Sequence, residues 1–208
     1  MKKITYLLGW TGWLLALPVA AQETNRPVLP AAFPSDHGAG TRPPRQEFGI
    51  GFGNGLATYD IGGKTPHNLL LSRLYYGILL GQPVARTKWY GGQWEFVQEL
   101  FGAWQYDPAN RYLVGTTSLL RYNWTTGSRW VPFLDAGIGA SATNLGHPDL
   151  GSTGQFNGQI GPGLSYFWNP HTAFNLQYRY MHNSSGGLSS PNQGINENIV
   201  YAGVSWFF

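Results

Sequence analysis

The chain has 208 residues, of which 11% are charged, 15% are aromatic and none is cysteine. This length suits one ordinary domain, and the lack of cysteine excludes a disulfide framework, a thiolate metal site and a cysteine nucleophile. Soluble domains have about 25% charged residues, whereas disordered tails are charged and poor in aromatic rings. The composition therefore fits neither class. Basic residues outnumber acidic ones by only 13 to 10. Because a nucleic-acid partner requires a concentrated basic face, no nucleic-acid partner is predicted.

The first segment has the pattern of an export signal. Two lysines precede a mostly apolar stretch over 4–17, and small residues at 19–21 suit a cleavage site. The stretch is shorter than the roughly 20 residues of a membrane-spanning helix, so we predict a signal peptide at 1–21, with a retained anchor as the alternative. The segment 22–46 contains five prolines, which oppose helix and sheet and predict an extended tether.

From residue 47 onward, apolar and polar residues alternate in the manner of strands rather than helices. In one such segment Phe174 and Leu176 alternate with Asn175 and Gln177. Eight segments are predicted to be strands: 47–58, 68–80, 89–105, 111–124, 129–142, 154–168, 172–182 and 196–208. Most are longer than strands of globular proteins and long enough to cross a bilayer at a tilt.

Strand number, strand length and the export signal predict an all-β fold, an eight-stranded antiparallel transmembrane β-barrel over 47–208. Aromatic rings cluster near the predicted strand ends, where they suit the level of the lipid headgroups. The terminal Phe208 resembles the C-terminal signature of outer-membrane proteins, so we expect an outer-membrane location. The alternative is a soluble β-sandwich, in which the same rings would pack a core.

Five charged residues lie on the predicted lumen side of their strands: Glu95, Glu99, Arg121, Asp135 and Arg179. Side chains just fill the interior of an eight-stranded barrel, so we expect these charges to pair with one another. The same filling argues against a transport channel. The five histidines show no metal-ligand spacing, and neither a metal nor a cofactor is predicted.

One segment carries a pattern typical of nucleophilic catalysis. His182 and Ser184 are two residues apart, so on a strand both side chains project to the same face. The alternation of the preceding residues predicts that this is the lipid side. An imidazole beside a serine hydroxyl can remove the hydroxyl proton during nucleophilic attack. The pair therefore predicts an enzyme that acts on a lipid held in the membrane.

Residues 160–208 resemble the lipid A 3-O-deacylase (PagL) family of outer-membrane hydrolases. The similarity lies in the His-x-Ser pair, the Gly-Leu that follows it and the Pro-Asn-x-Gly-Ile turn over 191–195. The barrel layout extends it more weakly over 47–208. The resemblance implies that the protein hydrolyses the ester-linked acyl chain at the 3-position of lipid A in lipopolysaccharide. Lipopolysaccharide and the outer membrane are then its expected partners.

The family resemblance also implies roles for individual residues. Ser184 would be the nucleophile, His182 the base, and Ser185 and Gly187 the oxyanion donors. Ser185 stands where the family has an asparagine, so this donor would be a hydroxyl, or backbone N–H groups would replace it. A non-enzymatic small barrel with a structural or adhesion role is the competing hypothesis, because a fold does not determine an activity.

The third catalytic residue is the second departure from the family pattern. Asn196 stands where the family has an acidic residue, and Glu197 is beside it. Asn196 shares the lipid-side parity of His182, whereas Glu197 is expected to point into the lumen. An asparagine can accept a hydrogen bond from the histidine N–H and set its tautomer, although it stabilises an imidazolium less than a carboxylate does. We predict that Asn196 orients His182, with Glu197 as the alternative if a β-bulge reverses the facing.

Overall fold

The computed structural model describes residues 45–58, 62–85, 88–107 and 109–208. The predicted signal peptide and all but the end of the predicted tether lie outside these residues. Eight strands are present: β1 (Gln46–Thr58), β2 (Asn68–Val84), β3 (Gly92–Asp107), β4 (Ala109–Trp124), β5 (Trp130–Thr143), β6 (Gly154–Asn169), β7 (Thr172–Ser184) and β8 (Ile195–Phe207). No helix in the described part of the chain is long and apolar enough to cross a membrane.

The strands form one closed antiparallel barrel in which each strand pairs with its neighbours in chain order. β1 closes the barrel against β8 in a continuous register from Glu47–Phe207 to Thr58–Asn196. Closure pairs every strand on both sides and removes the free edges of an open sheet. The predicted fold class and the eight predicted strands are confirmed. β3 begins three residues later than predicted, because residues 88–91 form a turn before it.

Side chains alternate along the strands between a mainly apolar outer surface and an interior that is polar and charged at its middle. On β7, for example, Phe174 and Leu176 are 48% and 58% exposed, whereas Asn175 and Gln177 are 6% and 1% exposed. A soluble sheet protein buries its apolar face instead. The observed polarity is that of a barrel whose outer surface faces lipid.

Ion pairs fill the middle of the lumen. Arg179 lies 2.8 Å from Glu99 and 3.0 Å from Asp135, and Arg121 lies 3.3 Å from Asp135. Within the part of the chain that the structure describes, the network contains seven buried residues: Glu47, Arg73, Glu95, Glu99, Arg121, Asp135 and Arg179. The charges pair as predicted, and their mutual contacts offset the cost of removing them from water.

The two ends of the barrel differ in their connections. The described part of the β1–β2 connection, 62–67, and the connections 144–153 and 185–194 lie together at one end, which we call the loop end. The chain termini of the barrel and the turns between β2 and β3, β4 and β5, and β6 and β7 lie at the opposite end, the turn end. Apolar side chains fill the lumen near the loop end, among them Leu69, Leu71, Leu113, Leu145 and Leu150.

Candidate active site

His182 and Ser184 lie at the loop end of β7 with partly exposed side chains on the outer surface. On the neighbouring β6, Gly158 pairs with His182 and Phe156 pairs with Ser184. A Cβ added to Gly158 would meet no atom within 4 Å. The outer surface of the barrel is therefore open beside the imidazole.

Asn196 is the partner of His182 on β8. The two residues are directly paired in the β7–β8 register, and Asn196 Oδ1 lies 2.6 Å from His182 Nδ1. An amide oxygen can only accept a hydrogen bond, so Nδ1 carries the hydrogen and Nε2 keeps a lone pair. This tautomer allows Nε2 to take a proton from a hydroxyl group.

Two further contacts hold the Asn196 amide. The Tyr180 hydroxyl donates to Asn196 Oδ1 at 3.1 Å, and Asn196 Nδ2 donates to the Gly62 carbonyl at 3.4 Å. Asn196 is only 2% exposed, so its side chain is oriented from both ends in a buried position. No sequence motif singled out Tyr180, although its position two residues before His182 on the same strand face indicates it.

Glu197 lies on the opposite face of β8 from Asn196. It pairs with Met181 and is fully buried in the lumen. Neither carboxylate oxygen has a hydrogen-bond partner among the described residues. The register of β7 and β8 runs without interruption from Thr172–Trp206 to Asn183–Ile195, so Glu197 does not approach His182.

Ser184 and His182 are brought together on one face but not into a hydrogen bond. In the described part of the chain, which includes both residues, the Ser184 hydroxyl makes no hydrogen bond to the His182 imidazole. Positions two apart on a strand have Cα atoms about 6.5 Å apart. Catalytic hydrogen bonds are often long without substrate and tighten when substrate binds. The absence of this hydrogen bond in a structure without substrate is therefore compatible with a catalytic pair.

Ser185 does not share the outer surface with Ser184. Its side chain is 3% exposed, and its hydroxyl and its N–H both donate to Asn192 Oδ1, at 2.9 Å and 2.8 Å. The hydroxyl also accepts from the Ser189 N–H at 3.2 Å. Both donors of Ser185 are therefore engaged within the loop 185–194.

The next two residues form a glycine turn. Gly186 and Gly187 have φ angles of +63° and +86°, and the Leu188 N–H donates to the Ser185 carbonyl at 3.2 Å. Glycine adopts such angles without the penalty that a Cβ brings. Neither the Gly186 N–H nor the Gly187 N–H donates to another described residue. The turn therefore offers two backbone donors close in sequence to Ser184.

Asp149 joins the loops around the site, and no motif or periodicity in the sequence indicates it. Its buried carboxylate accepts hydrogen bonds from the Lys64 N–H at 2.6 Å, the Thr65 N–H at 3.2 Å, the Thr65 hydroxyl and the His67 ring at 3.0 Å. Burial raises the pKa of this carboxyl, but the hydrogen bonds from Thr65, His67 and Lys64 outweigh it and hold the pKa below its ordinary value of 3.8. Asp149 is therefore charged at neutral pH.

Metal-ligating side chains are not grouped in the described residues, where no set of three or more histidines and carboxylates could hold a metal ion. His67 contacts one carboxylate, that of Asp149, and its Nδ1 lies 3.3 Å from Gln105 Oε1. The groups present around His182 can supply a nucleophile, a base and backbone hydrogen-bond donors.

The sequence is similar to a known protein family and to a known protein. A family model described as lipid A 3-O-deacylase (PagL) matches residues 73–205, which include the segment 182–197. Lipid A deacylase PagL of Pseudomonas aeruginosa is 39% identical over 73 residues, which are 34% of this chain and 40% of that protein. The match therefore spans less than half of the length of this relative.

Solved structures share the fold. The crystal structure of the outer membrane enzyme PagL has a TM-score of 0.58 and 20% identity, covering 74% of this chain and 97% of that chain. Neisserial surface protein A has a TM-score of 0.61 and 16% identity, covering 78% and 97% of the two chains. Ail of Yersinia pestis has a TM-score of 0.51 and 12% identity, covering 79% and 99%. These identities establish similarity of the barrel alone.

Proposed function

The chain belongs to the lipid A 3-O-deacylase (PagL) family, and from this premise we propose that it is an outer-membrane serine esterase that removes the ester-linked acyl chain at the 3-position of lipid A. The observation that carries the proposal is the 2.6 Å contact between His182 Nδ1 and Asn196 Oδ1 on the outer barrel surface beside Ser184. A base with a defined tautomer next to a serine is the requirement for nucleophilic ester hydrolysis.

In the proposed reaction, Ser184 Oγ attacks the ester carbonyl while His182 Nε2 takes the hydroxyl proton. The tetrahedral intermediate collapses, the bond to the sugar 3-oxygen breaks, and His182 donates the proton to that oxygen. The acyl chain is left on Ser184. His182 then takes a proton from water, which attacks the acyl-enzyme; the bond between Ser184 Oγ and the acyl carbon breaks, His182 returns the proton to Ser184 Oγ, and a fatty acid is released. Asn196 keeps the hydrogen on Nδ1 throughout.

The negative oxygen of the intermediate needs hydrogen-bond donors. We assign this role to the Gly187 N–H, as the family pattern implies, together with the Gly186 N–H. Ser185, which the family pattern also implies as a donor, has both of its donors on Asn192. The proposed contribution of Ser185 is therefore to shape the glycine turn. Removal of one oxyanion donor costs about 100- to 1000-fold in rate.

The location of the site suits a membrane lipid. In outer-membrane barrels the longer loops face the cell exterior and the short turns face the periplasm, so the loop end is assigned to the exterior. The pair His182 and Ser184 lies near the loop end on the lipid-facing surface. Lipopolysaccharide in the outer leaflet would present its sugar esters at this level, with the acyl chains along the barrel wall.

The test is mass spectrometry of lipid A from cells that produce the protein. Cells with the wild-type chain should lose the mass of one acyl chain, and Ser184→Ala should abolish the loss. Ser118→Ala is the matched control, because Ser118 is also an exposed serine on the outer surface but lies on β4. An unchanged lipid A profile with an assembled wild-type barrel would overturn the proposal and favour a structural or adhesion role.

A further inference from the structure

Gly194 lies against the ring of His182. It is buried and has a φ of +81°, in the left-handed region that favours glycine. A Cβ added to Gly194 would lie 2.7 Å from His182 Cε1 and 3.4 Å from His182 Nδ1. The main chain of Gly194 therefore bounds the imidazole on this side and leaves no room for a methyl group.

The residue before Gly194 is tied to two other loops. The Gln193 N–H donates to the Asp149 carbonyl at 2.8 Å, and the Gln193 carbonyl accepts from the Gly63 N–H at 3.1 Å. Both peptide groups that flank Gln193 are thus held by residues far away in sequence. These two bonds hold the chain on the N-terminal side of Gly194, and Ile195, paired with Asn183, begins β8 on its other side.

Hydrogen bonds to its side chain hold Asp149 in position. Its carboxylate, 0% exposed, accepts hydrogen bonds from Lys64, Thr65 and His67. Its main-chain carbonyl is thereby held where Gln193 meets it. A continuous series of contacts leads from Asp149 through Gln193 and Gly194 to the imidazole.

We propose that Gly194 is a positioning residue that keeps the His182 imidazole at Asn196, and that Asp149 holds Gly194 in place through Gln193. This inference rests on the proposed esterase function, in which His182 is the base. A carboxylate would orient the ring through a charge-assisted hydrogen bond, about twice as strong as a neutral one. Asn196 provides only a neutral bond, so the close contact with Gly194 supplies part of the orientation.

Gly194→Ala tests the first contact. The new methyl group must displace the ring, and a shift of about 1 Å in a reacting group can cost about 100-fold in rate. We expect kcat for lipid A to fall by about 10- to 100-fold while KM changes less than about twofold. The matched control is Gly127→Ala, because Gly127 also has a positive φ, of +66°, but a Cβ there meets no atom within 4 Å. Equal kcat values for the two variants would overturn the proposal.

A measurement on the ring itself separates this inference from the proposed function. In detergent-solubilised protein, the His182 Cε1–Hε1 resonance, identified by its loss in His182→Asn, should shift in Gly194→Ala and stay in place in Gly127→Ala. The resonance reports the ring position whether or not the wild-type protein cleaves lipid A. An unmoved resonance would refute the positioning role. A shifted resonance in a protein without deacylase activity would refute the proposed function alone.

Asp149→Asn tests the more distant link. The amide keeps the size of the side chain but loses the negative charge that accepts hydrogen bonds from Lys64, Thr65 and His67. We expect kcat to fall by at least about threefold and the His182 resonance to shift in the same direction as in Gly194→Ala. Asp107→Asn, at an exposed carboxylate near the loop end, should change neither quantity.

The double variant shows whether Asp149 acts through Gly194. If it does, the kcat losses of Asp149→Asn and Gly194→Ala are less than multiplicative, because the second change disturbs a ring already displaced. Multiplicative losses would overturn the link between the two residues. Heat-modifiable gel mobility verifies that each variant is assembled before its kinetics are compared.

Discussion

At the scale of single residues, the proposed base, His182, is paired with a neutral side chain rather than with a carboxylate. His182 Nδ1 donates a hydrogen bond to Asn196 Oδ1 at 2.6 Å. The Tyr180 hydroxyl donates to the same oxygen at 3.1 Å and so fixes the acceptor in turn. An amide sets the tautomer as a carboxylate would, but it offers no charge to the imidazolium that forms during attack.

Asn196→Ala should lower kcat by about tenfold, the loss equivalent to one hydrogen bond of about 1.4 kcal/mol, and leave heat-modifiable mobility unchanged. Glu197→Gln is the neighbouring control, because Glu197 faces the lumen and has no contact with His182. It should retain most of the activity. Steady-state hydrolysis of lipid A in detergent measures both variants. An inactive Glu197→Gln beside a normal Asn196→Ala would assign the orienting role to Glu197.

At the scale of elements, adjacent strands and loops determine what reaches the site. β6 presents Gly158 beside His182, and the space next to this glycine is open. The loops 62–67, 144–153 and 185–194 meet at Asp149 above the barrel. One side of the imidazole is therefore accessible from the lipid, and the other is backed by tied loops.

Gly158→Leu should obstruct the lipid-facing approach to His182. The leucine side chain would project from the outer surface, where it packs against lipid, so we expect the barrel to assemble. KM for lipid A should rise by about tenfold or more, the equivalent of about 1.4 kcal/mol of lost binding. Gly102→Leu on β3 is the control, since its added Cβ also meets only ordinary contacts, the nearest at 3.8 Å. Equal KM values for the two variants would show that the acyl chain does not cross Gly158.

Asp149 should make the stability of the loop end depend on pH. Its pKa in the folded protein lies below the ordinary value of 3.8, so its contribution is present above pH 3.8 and is lost as the pH falls through the lower folded value. The melting temperature of Asp149→Asn should therefore lie below that of the wild type at pH 7, and the difference should shrink below pH 3.8. Circular dichroism melts in detergent measure it. A difference that does not vary with pH would contradict this origin.

At the scale of the whole molecule, the lumen network holds the barrel together from within. Arg179 is fully buried and contacts both Glu99 and Asp135. Removal of one partner from a buried ion pair leaves an uncompensated charge, which costs about 3–5 kcal/mol. The network lies in the lumen and His182 on the outer surface, so a change in the network should alter stability without touching the proposed catalytic residues.

Arg179→Leu should lower the free energy of unfolding by about 3–5 kcal/mol. Arg111→Leu, at a partly exposed arginine near the loop end, should change it by less than about 1 kcal/mol. Urea unfolding of the barrels in lipid vesicles compares the two variants. Similar unfolding free energies for both would show that the lumen network does not stabilise the barrel.

The sequence by itself determined the barrel and its two faces. Side chains on a strand alternate with a period of two, so Phe174 and Asn175 reveal their faces from their order alone. The same parity assigned His182, Ser184 and Asn196 to the outer surface, because all three lie on continuous strands. Local geometry governs these features, and local geometry can be read from residue order.

Only the tertiary structure decided which groups meet across strands and loops. The register of β7 and β8 brought Asn196 to His182, and loop packing turned both donors of Ser185 toward Asn192. Asp149 and Gly194 reach the site through contacts between 62–67, 144–153 and 185–194, segments without periodicity. Contacts between such segments depend on the closure of the whole barrel, which brings distant loops to one end. These contacts therefore cannot be predicted from a local sequence pattern.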